Sequence, residues 1–333
     1  MIELLNQSFG KEGRVADSIV SCIGNTPLIQ LSRLFSQNNV EVLAKLELMN
    51  PGGSMKDRSA RFIIEQGLRE GLIQRNSHII ESTSGNFGIA LAMVCKSYGL
   101  TFTAVVDPKI TKANLTILKL LGARIEMVDE PDDQGGYLKT RIARVQQLLR
   151  SHPKAYWINQ YANEWNWQAY YQDTADEMVK QINGPIDYLI AAVSTTGSIL
   201  GCARRIRQDH PNVKVIAVDA VGSVIFGAPA AKRELPGIGS SRIPELLNEE
   251  EIDEIIYVND MESAQGCRDL LSKEGIFAGG SSGSVVAALK KIIPDLKSSS
   301  RILTILPDRG ERYLDSVYSE EWVQNLSQNT TTN

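Results

Sequence analysis

Residues 188–208 read YLIAAVSTTGSILGCARRIRQ. The segment opens on an apolar run of strand length, 188–193. It passes through Ser194-Thr195-Thr196-Gly197-Ser198 and continues as an amphipathic run to Gln208. A short buried strand, a small-residue loop and a helix form the repeating unit of a parallel α/β sheet. Parallel strands need a crossover connection, and that crossover covers their faces. The same alternation extends in both directions. Strands are read at 42–48, 78–80, 101–106, 124–128, 214–219 and 302–306. Helices are read at 57–70, 88–97, 115–121, 137–149, 198–208 and 284–292. Strands separated by helices of this length predict an α/β fold with mostly parallel sheets covered on both faces.

The chain has 333 residues. At about 150 residues per domain this suggests two domains or one large one. Hydrophobic residues make up 43% and charged residues 22%, enough for a sizeable core. A formal charge of -4 argues against a strongly basic nucleic-acid binder. Cys22, Cys95, Cys202 and Cys267 are far apart and form no CxxC pair, which argues against a disulfide framework or a thiolate zinc site. His78, His152 and His210 are isolated as well and are expected at element ends or on the surface, with no metal site. The N-terminal residues lack the features of a signal peptide, and no uncharged run reaches about 18 residues; a soluble, cytoplasmic protein with no membrane partner is expected. Asn114-Leu115-Thr116 fits a glycosylation pattern, which means little without secretion. The Trp-rich stretch 156–171 lies between the halves and reads either as a bridge or as core packing with a turn.

Where the 26 glycines fall matters more than their number. Four glycine-containing segments precede predicted helices: NPGGSMKDR from Asn50, ESTSGNFG from Glu81, VSTTGS from Val193 and AGGSSGS from Ala278. Loops at strand ends of parallel sheets are where ligands bind, and small residues there let backbone N–H groups converge on an anion. None of the loops is GxGxxG or GxxxxGK[ST], which argues against a dinucleotide or nucleotide site. They present hydroxyls instead: Ser194, Thr195, Thr196, Ser198, Ser281, Ser282 and Ser284. Lys56 is the odd residue. With Ser54 as N-cap it falls in a helix first turn, where its charge opposes the helix dipole. Local conflict of this kind is expected at functional positions. The same surroundings favour a neutral amine, which can form a Schiff base with an aldehyde cofactor; a solvated lysine is the plain alternative.

The ordered series IGNTPL from Ile23, GSMKDR around Lys56, STSGN ending at Asn86, GIFAGGSSG around Ser281 and DRGERYL from Asp308 resembles fold type II pyridoxal-phosphate enzymes of the cysteine synthase and cystathionine β-synthase group. It spans roughly residues 15–318. Within that group, NPGGSMKDR, ESTSGNFGIALAM, VDPKI, QGGYLKTRIA, YWINQYANEWNW, VSTTGSI, VDAVGSVIFG and RELPGIGSSR resemble the branch that makes N-(2-amino-2-carboxyethyl)-L-glutamate, a precursor of 2,3-diaminopropionate and siderophores.

The resemblance implies two domains with the cofactor, pyridoxal 5'-phosphate, in the cleft between them. The expected boundaries are an N-terminal segment 1–40, a small substrate-gating domain 41–165, a large phosphate-binding domain 166–322 and a polar tail 323–333. Carried over by position, Lys56 would be the Schiff-base lysine and catalytic residue, and Asn86 would bond the cofactor's ring oxygen. Ser194, Thr195, Thr196, Gly197 and Ser198 would hold its phosphate, and Ser281 would face its pyridine nitrogen. Ser82, Thr83, Ser84 and Gln160 would receive the substrate carboxylate. The implied reaction is β-replacement joining O-phospho-L-serine and L-glutamate; the alternative is a cysteine synthase using sulfide. Ser194-Thr-Thr-Gly-Ser198 departs from the usual Gly-Thr-Gly-Gly-Thr of cysteine synthases, and Tyr161 replaces a usual Phe. Both changes add hydroxyls near the acceptor pocket. Tyr161, Ser194, Arg242, Lys109 and Lys112 are the candidates for contacting anionic substrates, with Arg242 equally readable as a surface or inter-subunit residue. The resemblance also implies a homodimer acting on small amino acids.

Overall fold

The computed structural model describes residues 15–132 and 136–330. In chain order its elements are β1 (Leu28–Gln30), β2 (Glu41–Leu46), α1 (Lys56–Arg69), β3 (His78–Ser82), α2 (Asn86–Tyr98), β4 (Thr101–Val106), α3 (Lys112–Leu120), β5 (Arg124–Met127), α4 (Leu138–Ser151), β6 (Ala155–Trp157) and α5 (Glu164–Ala169). They continue with α6 (Asp176–Gln181), β7 (Tyr188–Ala192), α7 (Gly197–Asp209), β8 (Lys214–Ala220), β9 (Glu254–Val258), α8 (Asp260–Asp269), α9 (Gly280–Ile292), β10 (Arg301–Leu306) and α10 (Glu320–Thr330). The chain divides into two compact units. Of the described residues, the first holds 15–25, 50–52, 56–132 and 136–159; the second holds 26–49, 53–55 and 160–330.

The first unit is built on a four-stranded sheet in the order β5-β4-β3-β6, parallel throughout. Ile80 and Val105 on the strands pack with Val145 and Leu148 of α4. Helix α2 is apolar almost all round, with Phe87 through Cys95 buried, as a helix enclosed on every side should be. Gly99 ends it in the left-handed conformation, the usual helix stop.

The second unit carries a six-stranded sheet, β1-β2-β10-β7-β8-β9, parallel except for β1 against β2. Its strands show why parallel sheets lack polar alternation. Leu189, Val215, Ala217, Leu303 and Ile305 enter a core with Ile199, Ala203 and Ile206 of α7. Their neighbours Ile190, Ile216, Val218 and Ile302 enter a second core with Val285 and Leu289 of α9. Side chains alternate between faces, and both faces are buried. On β2 a lysine is accommodated inside: the Lys45 ammonium donates to Thr26 O, Glu177 and Gln181 at 2.7–2.8 Å.

Two expected boundaries change. β2 pairs in register with β10 from Glu41 to Leu46, so residues 41–49 belong to the large unit, not to a small domain beginning at 41. The crossing back falls at Gln160 rather than at 166. The expected polar tail from 323 is helical through Thr330, with Trp322 and Val323 packed on Leu235, Ala264, Cys267, Tyr313 and Val317. Residues 1–14 and 331–333, parts of the expected N-terminal segment and tail, lie outside the described residues, as do Gln134 and Gly135 of the QGGYLKTRIA segment. The Trp-rich stretch resolves into β6, a loop and α5, which runs on through π-helical turns at Tyr170–Ala175 into α6.

Candidate active site

Residues 83–86 follow β3 and residues 194–198 follow β7, each at the carboxyl end of its strand. In the first unit, Lys56 is the first residue of α1 and is half-buried. The turn before it folds back on the next residue, Gly52 N–H donating to the buried Asp57 carboxylate. Asn50 accepts from Gly24 N–H at 2.9 Å, and the Arg61 guanidinium donates to Ile23 O at 3.0 Å. The Ile23–Asn25 segment thus braces the turn that presents the lysine.

Ser82 ends β3, and Thr83, Ser84 and Gly85 lead into Asn86, the first residue of α2. This loop is tied down at several points. Thr83 N–H donates to Val105 O, Gly88 N–H donates to Thr83 Oγ1, and Asn114 Nδ2 donates to Ser84 O. Asn114, noted in the sequence only for Asn-Leu-Thr, is therefore a support of the loop. The Ser82 hydroxyl is buried and has no partner among the described residues. An unpaired buried hydroxyl beside the start of a 13-residue helix suits a carboxylate, which would supply the missing acceptor while meeting the helix N–H groups.

Lys109 and Lys112 lie beyond β4 and are exposed, with Lys109 5.4 Å from the centre of the Tyr137 ring. Their exposure weakens them as binding groups. Arg141, which the sequence reading passed over, is the more enclosed cation there. One of its terminal nitrogens lies 3.2 Å from Asp107, and its Nε has no partner among the described residues.

In the second unit, Ser194–Thr196 connect β7 to α7, with Thr196 held at φ 61°. Thr195, Thr196 and Ser198 are all buried. Gln160 is buried and Tyr161 half-buried just upstream of α5. The Arg242 guanidinium lies 4.9 Å from the centre of the Tyr161 ring and pairs with Glu245. Leu246 N–H donates to Tyr161 O, and Gly239 N–H donates to Val193 O, so the 238–246 loop is fastened to both candidate segments. Ser281 lies in the first turn of α9 and is 3% exposed.

Asn166 on α5 was missed because it sits in a stretch dominated by aromatics. It is buried, and its amide nitrogen donates to Gln160 O at 2.7 Å and to Thr195 Oγ1 at 3.2 Å. Among the described residues no group of His, Cys, Asp and Glu is arranged to hold a metal ion. His78, His152 and His210 all lie at element ends, and all four cysteines are free.

The residues fit a pyridoxal phosphate. Ser198 and Ser281 are buried at helix N-termini, and the hydroxyl of Ser282, beside Ser281, is buried with no partner among the described residues. A Cβ at Gly197 would lie 2.9 Å from Asn166 Cγ, so only glycine allows this approach at the start of α7. A family model for pyridoxal-phosphate dependent enzymes matches residues 19–308. The chain belongs to this family. Its two α/β units and its similarity to solved structures place it with fold type II, in the cysteine synthase and cystathionine β-synthase group. An O-acetylserine dependent cystathionine β-synthase from Helicobacter pylori is 32% identical, with a TM-score of 0.85 over 92% of this chain and 100% of that one. A hydrogen sulfide-producing enzyme from Fusobacterium nucleatum is 31% identical, with a TM-score of 0.85 over 91% of this chain and 99% of that one. An O-ureido-L-serine synthase is 27% identical, with a TM-score of 0.85 over 92% of this chain and 98% of that one.

In the pyridoxal-phosphate enzyme a buried aspartate stands at the end of β8. Asp219 is fully buried, with Oδ2 unpartnered and Oδ1 accepting from Ala220 N–H. Burial raises its pKa from 3.8 to about 6; the neighbouring Ser223 hydroxyl, the Ala220 N–H and Arg233 lower it by less. The folded state therefore holds a proton that the unfolded chain has already released. Stability falls as pH rises between the two values, by about 3 kcal/mol in all. Asp219→Asn keeps the acceptor for Ala220 and removes the titration. Its stability relative to the parent should rise between pH 4 and 7, read by urea unfolding at each pH. A constant difference between variant and parent would show that Asp219 does not titrate in this window.

Among the described residues no helix is long and apolar enough to cross a membrane.

Proposed function

We propose that the protein catalyses β-replacement on an O-substituted L-serine, with O-phospho-L-serine as donor and L-glutamate as acceptor, giving N-(2-amino-2-carboxyethyl)-L-glutamate and phosphate. Bound pyridoxal phosphate supplies the electron sink that makes the donor's Cα proton acidic and its Cβ substituent labile. The protein's part is positioning and proton transfer. Ser82, Thr83 and Ser84 at the start of α2 bind the donor carboxylate, with Gln160 as a further carboxylate contact. Asn86 and Ser281 orient the cofactor, Ser281 as a neutral partner for its pyridine nitrogen. Lys56 anchors it, then takes the proton from Cα and returns it once the new bond to Cβ has formed.

The observation that carries the glutamate reading is the pairing of Tyr161 with Arg242 in the same unit as Gln160. A guanidinium stacked over the Tyr161 ring suits the second carboxylate of a dicarboxylate acceptor, which would replace Glu245 as its partner. Sulfide would use neither group. A second reading, sulfide as acceptor in a cysteine synthase, is favoured by the names of two relatives, one using O-acetylserine and one producing hydrogen sulfide. The two separate in one experiment. Purified enzyme is given O-phospho-L-serine or O-acetyl-L-serine, each with L-glutamate or sulfide, and products are read by mass. The phosphoserine–glutamate adduct is expected as the main product. Cysteine alone, or phosphate release without an adduct, would overturn the glutamate assignment. Siderophore supply is the metabolic role consistent with that product, and a homodimer is the assembly that the family resemblance suggests.

A further inference from the structure

We infer that Asn166 is a positioning residue that sets the direction of the Thr195 hydroxyl, so that Thr195 and not Thr196 donates its side-chain proton to the cofactor phosphate. The inference rests on reading Ser194–Ser198 as the phosphate-binding loop.

The orientation of the Asn166 amide is dictated by its partners. Gln160 O, at 2.7 Å, is a carbonyl and can only accept, so the nitrogen of Asn166 must face it. The same nitrogen lies 3.2 Å from Thr195 Oγ1. Both amide protons are then engaged, one on each acceptor. Thr195 Oγ1 is used as an acceptor, which leaves its own proton for an acceptor elsewhere. Among the described residues no protein group takes that proton. Thr196 differs: its hydroxyl donates to Thr195 O at 2.7 Å, in a residue held at φ 61°. Its side chain secures the loop from within. Two adjacent buried threonines therefore have opposite employment, one facing inward to the backbone and one with a free proton. Asn166 creates this asymmetry and also ties the loop to Gln160, a candidate for the substrate carboxylate. The close contact of Gly197 with Asn166 keeps the amide seated.

The test is equilibrium binding to cofactor-free protein, with pyridoxal phosphate and phosphate-free pyridoxal as paired probes, followed by cofactor absorbance. Asn166→Asp cannot donate, so Thr195 would turn its proton onto the new carboxylate. Affinity for pyridoxal phosphate should fall at least tenfold, and affinity for pyridoxal should stay within about twofold. Thr195→Val should reproduce this loss, whereas the isosteric Thr196→Val, which removes a hydroxyl already spent on Thr195 O, should cost less than Thr195→Val and should weaken pyridoxal phosphate and pyridoxal by the same factor. The ³¹P resonance of the bound cofactor should shift more in the first two variants than in the third. Melting temperatures of the cofactor-free proteins identify any variant that has merely lost structure. Ser198→Ala tests the underlying loop assignment separately. If it leaves the ratio of the two affinities unchanged, the loop reading itself fails. If it lowers that ratio while Asn166→Asp and Thr195→Val do not, or if Thr196→Val costs more than Thr195→Val, the role of Asn166 is refuted.

Discussion

Lys56→Ala is expected to reduce turnover by a factor of about 10³ or more and to abolish the visible absorbance of the protein. General base catalysis alone contributes about 10²- to 10⁴-fold, and Lys56 is assigned cofactor anchoring in addition. The location supports both roles. Lys56 is the half-buried first residue of α1, presented by a turn that is braced by the Gly52–Asp57 bond. A neutral amine is the form that can attack a carbonyl and accept a proton. Lys56→Arg keeps the length and charge and should be nearly as inactive, because a guanidinium is not deprotonated in proteins. Both variants should melt within a few degrees of the parent when the cofactor is absent from all three. Retention of a tenth of the parental kcat by Lys56→Ala would remove the lysine from the chemistry, whatever its part in binding.

Lys56 could be found in the sequence because its surroundings are local. The glycines, the helix start and the misplaced charge all fall within nine residues, and the loops at Asn86, Thr196 and Ser281 are equally compact signals. β7 and α7 were legible for the same reason, an apolar run stopped by small residues. What stayed hidden depends on partners far along the chain. β2 looked like the first strand of the small domain, yet the strand that pairs with it in parallel is β10, some 260 residues later. β6 has three residues, too few to show a period, and β9 lies at a sheet edge with only part of its residues buried. Asn166 reads as one polar residue between two tryptophans, and nothing local tells that its amide reaches Thr195. Gly266, buried inside α8, is equally silent in the sequence.

That glycine leads to a large expected effect on stability at one helix crossing. Helices α8 and α9 cross with their backbones in contact. A Cβ at Gly283 would lie 2.0 Å from Ser263 O, and one at Gly266 would lie 2.1 Å from Gly283 O. Both obstacles are backbone atoms, so no rotamer change relieves them. In an exposed helix Gly→Ala would gain about 1 kcal/mol of propensity. Here overpacking opposes it with a cost of about 3 kcal/mol, the upper end for buried insertions that force backbone to shift. Gly283→Ala should therefore lose about 2 kcal/mol net, roughly 4–8 °C in Tm for a unit of this size. Gly227→Ala is the control: its φ of 75° is unfavourable for alanine, but no atom lies within 4 Å, so the cost is limited to about 1–2 kcal/mol of backbone strain. The two substitutions separate in a second readout. Ser281 stands in the first turn of α9, two residues before Gly283. A helix pushed away from α8 carries Ser281 with it, so Gly283→Ala should also weaken cofactor binding, whereas Gly227→Ala should leave it unchanged. If Gly283→Ala binds pyridoxal phosphate as tightly as the parent and melts no lower than Gly227→Ala, the α8–α9 contact is not what fixes Ser281.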